Sequence, residues 1–201
     1  MRTTFRLTAA LAFAAGLLLA DAPKALAQAT PYELNLHIGG FRYDIEDSDT
    51  DVMLGARFLL QYPSGWGWGG NFDWVPVDRI ATTGDDIDFD LYLYSFEVDY
   101  TVQTGDQVRP FVGAGIGAAT FRVGDLPPGP GDDEESETNV LIPLAVGVKF
   151  FDDPRQPTWA IRGEIRDNVV FVDEDDLQAA IAGDDGAQNN IEFSGGISFF
   201  F

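Results

Sequence analysis

The 201-residue sequence contains no cysteine, a single histidine, and only 12 lysines and arginines against 33 aspartates and glutamates. Without cysteine there are no disulfide frameworks, Cys-ligated zinc sites or thiol nucleophiles. One histidine, His37, leaves little for imidazole-based catalysis or metal ligation, and no cofactor or metal motif is read. A formal net charge of −21 with no basic stripe excludes a phosphate-backbone partner, so no nucleic acid is expected. No apolar run reaches 18 residues, which excludes a helix that spans a bilayer and leaves strands as the open route across one. Glycine-rich phosphate cradles are missing too, because Gly113, Gly115 and Gly117 follow strand alternation and no Gly-Lys-Ser or Gly-Lys-Thr comes after them.

What is there begins with an address. Arg2 and Arg6 precede a fourteen-residue stretch, Leu7 to Ala20, that is apolar except for Thr8, and Ala25-Leu26-Ala27 places small residues for a signal peptidase. Residues 1–27 therefore read as a cleaved export signal and residues 28–201 as one domain. The exported part would carry 9 bases and 32 acids, a net charge of −23.

From Tyr32 onward the pattern has period two. Tyr32, Leu34, Leu36 and Ile38 alternate with Glu33, Asn35 and His37, and seven further segments repeat the pattern: 52–62, 66–74, 92–102, 112–118, 140–150, 159–166 and 191–201. Every other connection is short and turn-rich, at Pro63-Ser64-Gly65, Thr104 to Gln107 and Asp152 to Pro157. The other four, 44–51, 78–90, 124–137 and 173–185, hold 22 acids and one base, Arg79. This alternation puts both termini and all short turns at one end and all acidic loops at the other, the polarity of an outer-membrane barrel.

Alternation alone does not say which face meets lipid, and a soluble two-sheet sandwich or periplasmic barrel shows it too. Three features favour lipid on the apolar face. Aromatic residues (Tyr32, Tyr62, Trp66, Trp68, Tyr100, Phe150, Trp159, Phe199 and Phe201) collect at the short-turn ends of strands, as in an interfacial girdle. On the polar face Arg57, Lys149, Arg162 and Arg166 stand against Asp73, Glu97, Glu164 and Glu192, with Glu33 and Asp99 left over toward the short turns. Near-balance of that kind suits a water-poor lumen in which charges must pair. The sequence also ends on a strand that would close the barrel and leave no edge. The fold expected is all-β, an eight-stranded antiparallel up-and-down transmembrane β-barrel.

Several residues run against this phase. Asp167 and Arg122 fall on the lipid side and are read as interfacial or beside a bulge, while Pro143 and the Gly39-Gly40 step are read as bulges.

The stretches Arg109 to Gly117 (RPFVGAGIG), Ala160 to Asp167 (AIRGEIRD) and Glu192 to Phe199 (EFSGGISF) with a terminal Phe201, set among eight amphipathic strands behind an export signal, resemble the small outer-membrane β-barrel domain family that includes the OmpA membrane domain and OmpX. The resemblance spans essentially all of the exported chain. It implies an outer-membrane location and a C-terminal strand, ending at Phe201, that is similar to the signal such proteins present to the barrel-assembly machinery. Its members are structural, adhesive, protective or minor-channel proteins, so it implies no single activity. No peptidoglycan-binding domain is seen after Phe201.

Eight strands leave an interior that side chains fill. The eight paired charges are expected to plug it, with Gly113, Gly115 and Gly117 making room for the arginines of other strands. The run Asp47 to Asp51 fails as an EF-hand because Val52 and Phe58 stand where Gly and Glu are needed, which leaves loose divalent-cation binding by loop carboxylates. His37, on the lumenal phase, faces away from a lipid substrate, so catalysis is not expected. The expected function is a structural or surface-interaction role with a sealed lumen and acidic extracellular loops that hold divalent cations against lipopolysaccharide phosphates. The alternative is a barrel that binds a small solute or passes it through a narrow channel.

Overall fold

The computed structural model describes residues 32–43, 50–80, 86–123, 136–172 and 186–201. The expected export signal, residues 1–27, lies outside them, as do Asp47, Asp49 and the Asp132, Asp133, Glu134, Glu135 cluster. Eight strands follow in chain order: β1 (Tyr32–Arg42), β2 (Thr50–Gln61), β3 (Trp66–Ile80), β4 (Asp86–Thr101), β5 (Val108–Val123), β6 (Ser136–Phe151), β7 (Trp159–Val172) and β8 (Gly186–Phe200). Each pairs antiparallel with its neighbours in sequence, and β1 pairs with β8, closing the barrel without an edge. The seam ends in two main-chain bonds, from Tyr32 N to Phe201 O at 3.2 Å and from Phe201 N to Tyr32 O at 3.1 Å.

The strands run 11 to 16 residues, from the upper end of the roughly 9–11 that cross a bilayer to well beyond it. The surplus lies on the loop side. The acidic segment 78–90 is largely strand, since β3 reaches Ile80 and β4 begins at Asp86 in one unbroken register. The short turns need glycine where φ is positive. Gly65, at φ 94°, donates its N–H to Tyr62 O at 2.9 Å and closes the β2–β3 hairpin, and Gly105, at φ 77°, serves the β4–β5 turn.

No bulge is needed at either expected position. Through Gly39 and Gly40 the β1–β2 register runs unbroken, from Tyr32 opposite Leu60 to Arg42 opposite Thr50. Phe41 and Tyr43 point inward because the interior itself becomes apolar above His37, not because the chain slips phase. At Pro143 the register with β7 is continuous, and that with β5 is the same on both sides of the lapse that spans Ile142 and Pro143. The missing N–H of proline falls on the β5 side, where the ladder skips two rungs and resumes in step. Arg122 lies at the loop end of β5, paired with Asp90 and Ser136, which agrees with its interfacial reading. Asp167 is half-buried between Leu144 and Ile191, with no bulge beside it.

Burial is inverted relative to a water-soluble barrel. Among the described residues 21 buried side chains are polar or charged and 16 are apolar, while 26 large apolar or aromatic side chains stand exposed. The exposed set is the even-numbered phase of β1 to β6 and the odd-numbered phase of β7 and β8. No solvent but lipid makes such a surface stable. All the expected girdle aromatics project outward at the short-turn end, eight exposed and Tyr100 half-buried, with Tyr32 stacked between Phe58 and Phe201 and Trp66 packed on Tyr100.

Candidate functional site

The alternation that points apolar side chains outward points the others into a lumen, and the lumen is layered. At the short-turn mouth Arg109 lies over the Phe151 ring at 4.6 Å, and Phe151 packs on Phe200 at 5.4 Å. Arg109 donates to Gln103 Oε1 at 2.9 Å and to the Pro154 carbonyl, tying the mouth to two turns. Just above, Phe111 is fully buried under the Arg162 guanidinium, which stands 3.8 Å from its ring centroid. Gly147 makes this possible, because a Cβ there would press on the Phe111 ring.

The middle layer is ionic. All eight residues read as a lumenal charge network (Arg57, Asp73, Glu97, Lys149, Arg162, Glu164, Arg166 and Glu192) are buried inside the barrel. Glu164 is its hub. Arg57 grips it with two 2.9 Å bonds, Arg162 Nη2 reaches it at 2.8 Å, and Arg166 Nη2 reaches it at 2.7 Å. Glu97 accepts from Arg166 Nη1 at 2.5 Å and lies 3.3 Å from Arg57 Nε. Glu33 and Asp99, set apart in the sequence reading, belong to the same cluster: Lys149 Nζ stands 2.6 Å from Glu33 and 3.5 Å from Asp99, and Arg162 Nη1 bridges the two at 3.6 and 3.4 Å. Six buried carboxylates thus meet four cations among the described residues, so the layer is acidic, not balanced.

The side-chain atoms nearest to the glycine row of β5 belong to β4 and β6. Gly113, Gly115 and Gly117 stand opposite Asp99, Glu97 and Ser95 of β4. The nearest side-chain atoms to a Cβ at Gly115 would be Glu97 Cγ at 2.9 Å and Pro143 Cγ at 3.1 Å. The glycines let the acidic face of β4 fold over toward β6.

Above the charges the inward side chains form an apolar layer of Phe41, Tyr43, Met53, Val75, Leu91, Leu93, Ala119, Phe121, Leu141, Val170 and Val172. Sequence reading missed it. The signal was present in the switch of the apolar residues from even to odd positions at Phe41 and Tyr43, and in Leu91 and Leu93 falling on the phase of Ser95 and Glu97.

His37 hangs between the two layers. Its Nδ1 lies 3.0 Å from Asn35 Oδ1 and its Nε2 2.7 Å from Asp73 Oδ1, so neither nitrogen meets a serine hydroxyl. His37, Asp73 and Glu192 form, among the described residues, the group able to ligate a metal, with ligand atoms all within 4.8 Å of one another.

Residues 9–199 match the outer membrane protein β-barrel domain. The chain belongs to this outer-membrane β-barrel family. Its place is accordingly the outer membrane, in contact with lipid and lipopolysaccharide, with the strands crossing it. Among solved structures it is similar to Neisserial surface protein A, at 14% identity and TM-score 0.66, over 85% of this chain and 97% of that one. It is also similar to Ail, the attachment invasion locus protein of Yersinia pestis, at 14% identity and TM-score 0.53, over 86% and 100%. A third likeness is to OprG from Pseudomonas aeruginosa, at 12% identity and TM-score 0.52, over 88% and 99%. At these identities the likeness is one of fold. No curated protein matches the sequence.

Proposed function

We propose that this outer-membrane barrel is a sealed, non-catalytic envelope protein whose rigid wall anchors acidic loops at the cell surface. The observation that carries the reading is the filled lumen: an aromatic mouth, an ionic layer and an apolar layer lie in series along its axis. An ion crossing it would have to displace buried guanidinium–carboxylate pairs and then enter a dry apolar layer, each step costing several kcal/mol. Residues 1–27 act as the export signal, and β8 with Phe201 is the strand offered to the assembly machinery. The loop acids, 22 in the four long connections, hold divalent cations loosely and through them bridge to lipopolysaccharide phosphates.

In planar bilayers the purified barrel is expected to give no discrete conductance steps. A stable ohmic conductance, or a small molecule co-purifying in the lumen, would favour the solute-binding or narrow-channel alternative. For the loops, neutralising Asp132, Asp133, Glu134 and Glu135 together is expected to weaken the dependence of envelope integrity on divalent cations. An unchanged dependence removes the bridging role.

A further inference from the structure

The ionic layer leaves two carboxylates short of cations. Asp73 has no lysine or arginine nitrogen within 4 Å among the described residues, and Glu192 has only Arg166 Nε, at 3.7 Å. Both are completely buried. Two uncovered negative charges in such a place demand protons or a divalent cation. The only histidine of the chain stands beside them.

The fold assembles this corner from residues far apart in sequence on three strands, β1, β3 and β8. His37, Gly55 and Asp73 form one row across β1, β2 and β3. Gly55 lets the two functional side chains meet over it, because a Cβ there would collide with both Asp73 Oδ1 and His37 Nε2. Closure of the barrel then brings Glu192 of β8 to the pair.

Hydrogen bonds from behind orient each donor. Asn35 donates its Nδ2 to Ser198 Oγ at 3.1 Å and turns its Oδ1 to His37 Nδ1, which fixes the proton on Nδ1. In the neutral ring the lone pair of Nε2 then faces a carboxylate oxygen 2.7 Å away, an arrangement of two acceptors that needs a proton or a metal ion beside it. A histidine that ligates through one nitrogen and donates its other N–H to a carbonyl is the usual arrangement around a bound metal. Asn71 Nδ2 holds the far oxygen of Asp73, and Asn168 Nδ2 holds Glu192 Oε2 at 3.1 Å. Independently, the amide oxygens of both these asparagines are buried with no hydrogen-bond partner. Each belongs to an amide whose nitrogen already holds one of the two carboxylates, so both lie on residues that adjoin this corner.

We propose that His37 Nε2, Asp73 Oδ1 and a carboxylate oxygen of Glu192 bind one divalent first-row transition-metal ion inside the barrel, between the ionic layer and the apolar layer. One such ion cancels the two uncovered charges. A nitrogen and two carboxylate oxygens suit zinc, manganese, iron(II) or nickel rather than calcium or magnesium, which take all-oxygen shells. Metal–ligand distances of about 2.0–2.2 Å ask the His37–Asp73 gap to widen by about half an ångström and the Glu192 oxygen, within 4.8 Å of the other donors, to close in by about 1 Å. The site is separate from the surface loops, which bind cations weakly and in exchange with solvent.

The barrel, purified from outer membranes in detergent and stripped with EDTA, is unfolded and refolded with Zn2+, Mn2+ or Ni2+ alone, then passed through gel filtration. Elemental mass spectrometry is expected to find about one ion per folded chain for at least one metal. In His37→Gln and Glu192→Gln, with all loop acids intact, the retained ion falls at least tenfold while the heat-dependent gel shift of a folded barrel remains. In the 15N spectrum of the metal-loaded wild type, His37 shows a protonated Nδ1 and a metal-bound Nε2, a readout that stands even if a variant does not fold. A wild-type barrel that retains no ion overturns the proposal, as does equal retention by both variants or a His37 protonated on both nitrogens in the loaded sample. These outcomes are independent of conductance, so the sealed-barrel reading stands or falls by itself.

Discussion

Replacing Arg57 with methionine keeps most of the side-chain volume and removes one of four cations from the ionic layer. Arg57 is 2% exposed, and its guanidinium makes two 2.9 Å bonds to Glu164 and a 3.3 Å contact with Glu97. Its loss leaves six buried carboxylates to three cations. Breaking a buried ion pair by removing one partner costs about 3–5 kcal/mol, a shift of roughly two to three and a half decades in the folding equilibrium. The comparison with Glu97→Gln decides the argument. Glutamine keeps an acceptor for Arg166, and the carboxylates fall to five against four cations, so this change is expected to cost no more than about 2 kcal/mol. Adding it to Arg57→Met should restore part of the loss. Urea titration in lipid vesicles, followed by emission of the four tryptophans, reads all three variants, and the heat-dependent gel shift confirms a closed barrel at zero urea. An Arg57→Met barrel within about 1 kcal/mol of wild type, or a Glu97→Gln barrel that loses more than it, would refute the excess-acid account.

Phe41→Ala, at a fully buried position of the apolar layer, should cost about 3–5 kcal/mol in the same titration and, on the sealed-barrel reading, still leave planar bilayers silent, because the ionic layer beneath is untouched. Ile116→Lys, half-way along β5 and 63% exposed to lipid, should cost about 2–4 kcal/mol, and an unaffected barrel would place that face in water. Asp152, in the β6–β7 turn, carries the pH prediction. Slight burial pushes its carboxyl up, but donation from Thr158 Oγ1 at 2.5 Å and from the N–H groups of Trp159 and Thr158 outweighs this and holds it at about 2. A depressed carboxyl stabilises the turn above the ordinary carboxylate range, and that contribution disappears as pH falls through about 2. The Asp152 carboxyl carbon should titrate there by NMR, and Asp152→Asn should remove the acid-induced change at the Thr158 and Trp159 amides.

Strand number was legible in the sequence through period two, the up-and-down order through the alternation of short turns and long acidic connections, and the inside-out polarity through the aromatic strand ends and the paired charges of the polar face. A residue's side of a pleated strand follows from its parity, and parity survives any uncertainty in where a strand ends. Strand ends were less legible. The acids of 78–90 read as loop, yet β3 and β4 continue through them in register, since pairing that protrudes beyond the bilayer tolerates any side chain. The bulge read at Pro143 failed because the ladder to β5 skips two rungs there and resumes in step, and the one read at Gly39-Gly40 failed for a reason of its own. Period-two reading treats the inner face as uniformly polar, so an inward Phe41 looks like a phase slip when it is the floor of an apolar layer.

The sequence by itself determined that Arg57, Glu164, Arg166 and Glu192 lie on the polar face of their strands, because that is a local property of alternation. Only the tertiary structure decided which of them touch. Arg57 and Glu164 lie 107 residues apart in sequence, and His37, Asp73 and Glu192 stand on three strands. Their encounter is set by the stagger of eight strands and by glycines that admit one side chain over another, as Gly55 does for His37 and Asp73. Parity is written residue by residue, but proximity across a lumen exists only once β1 has met β8.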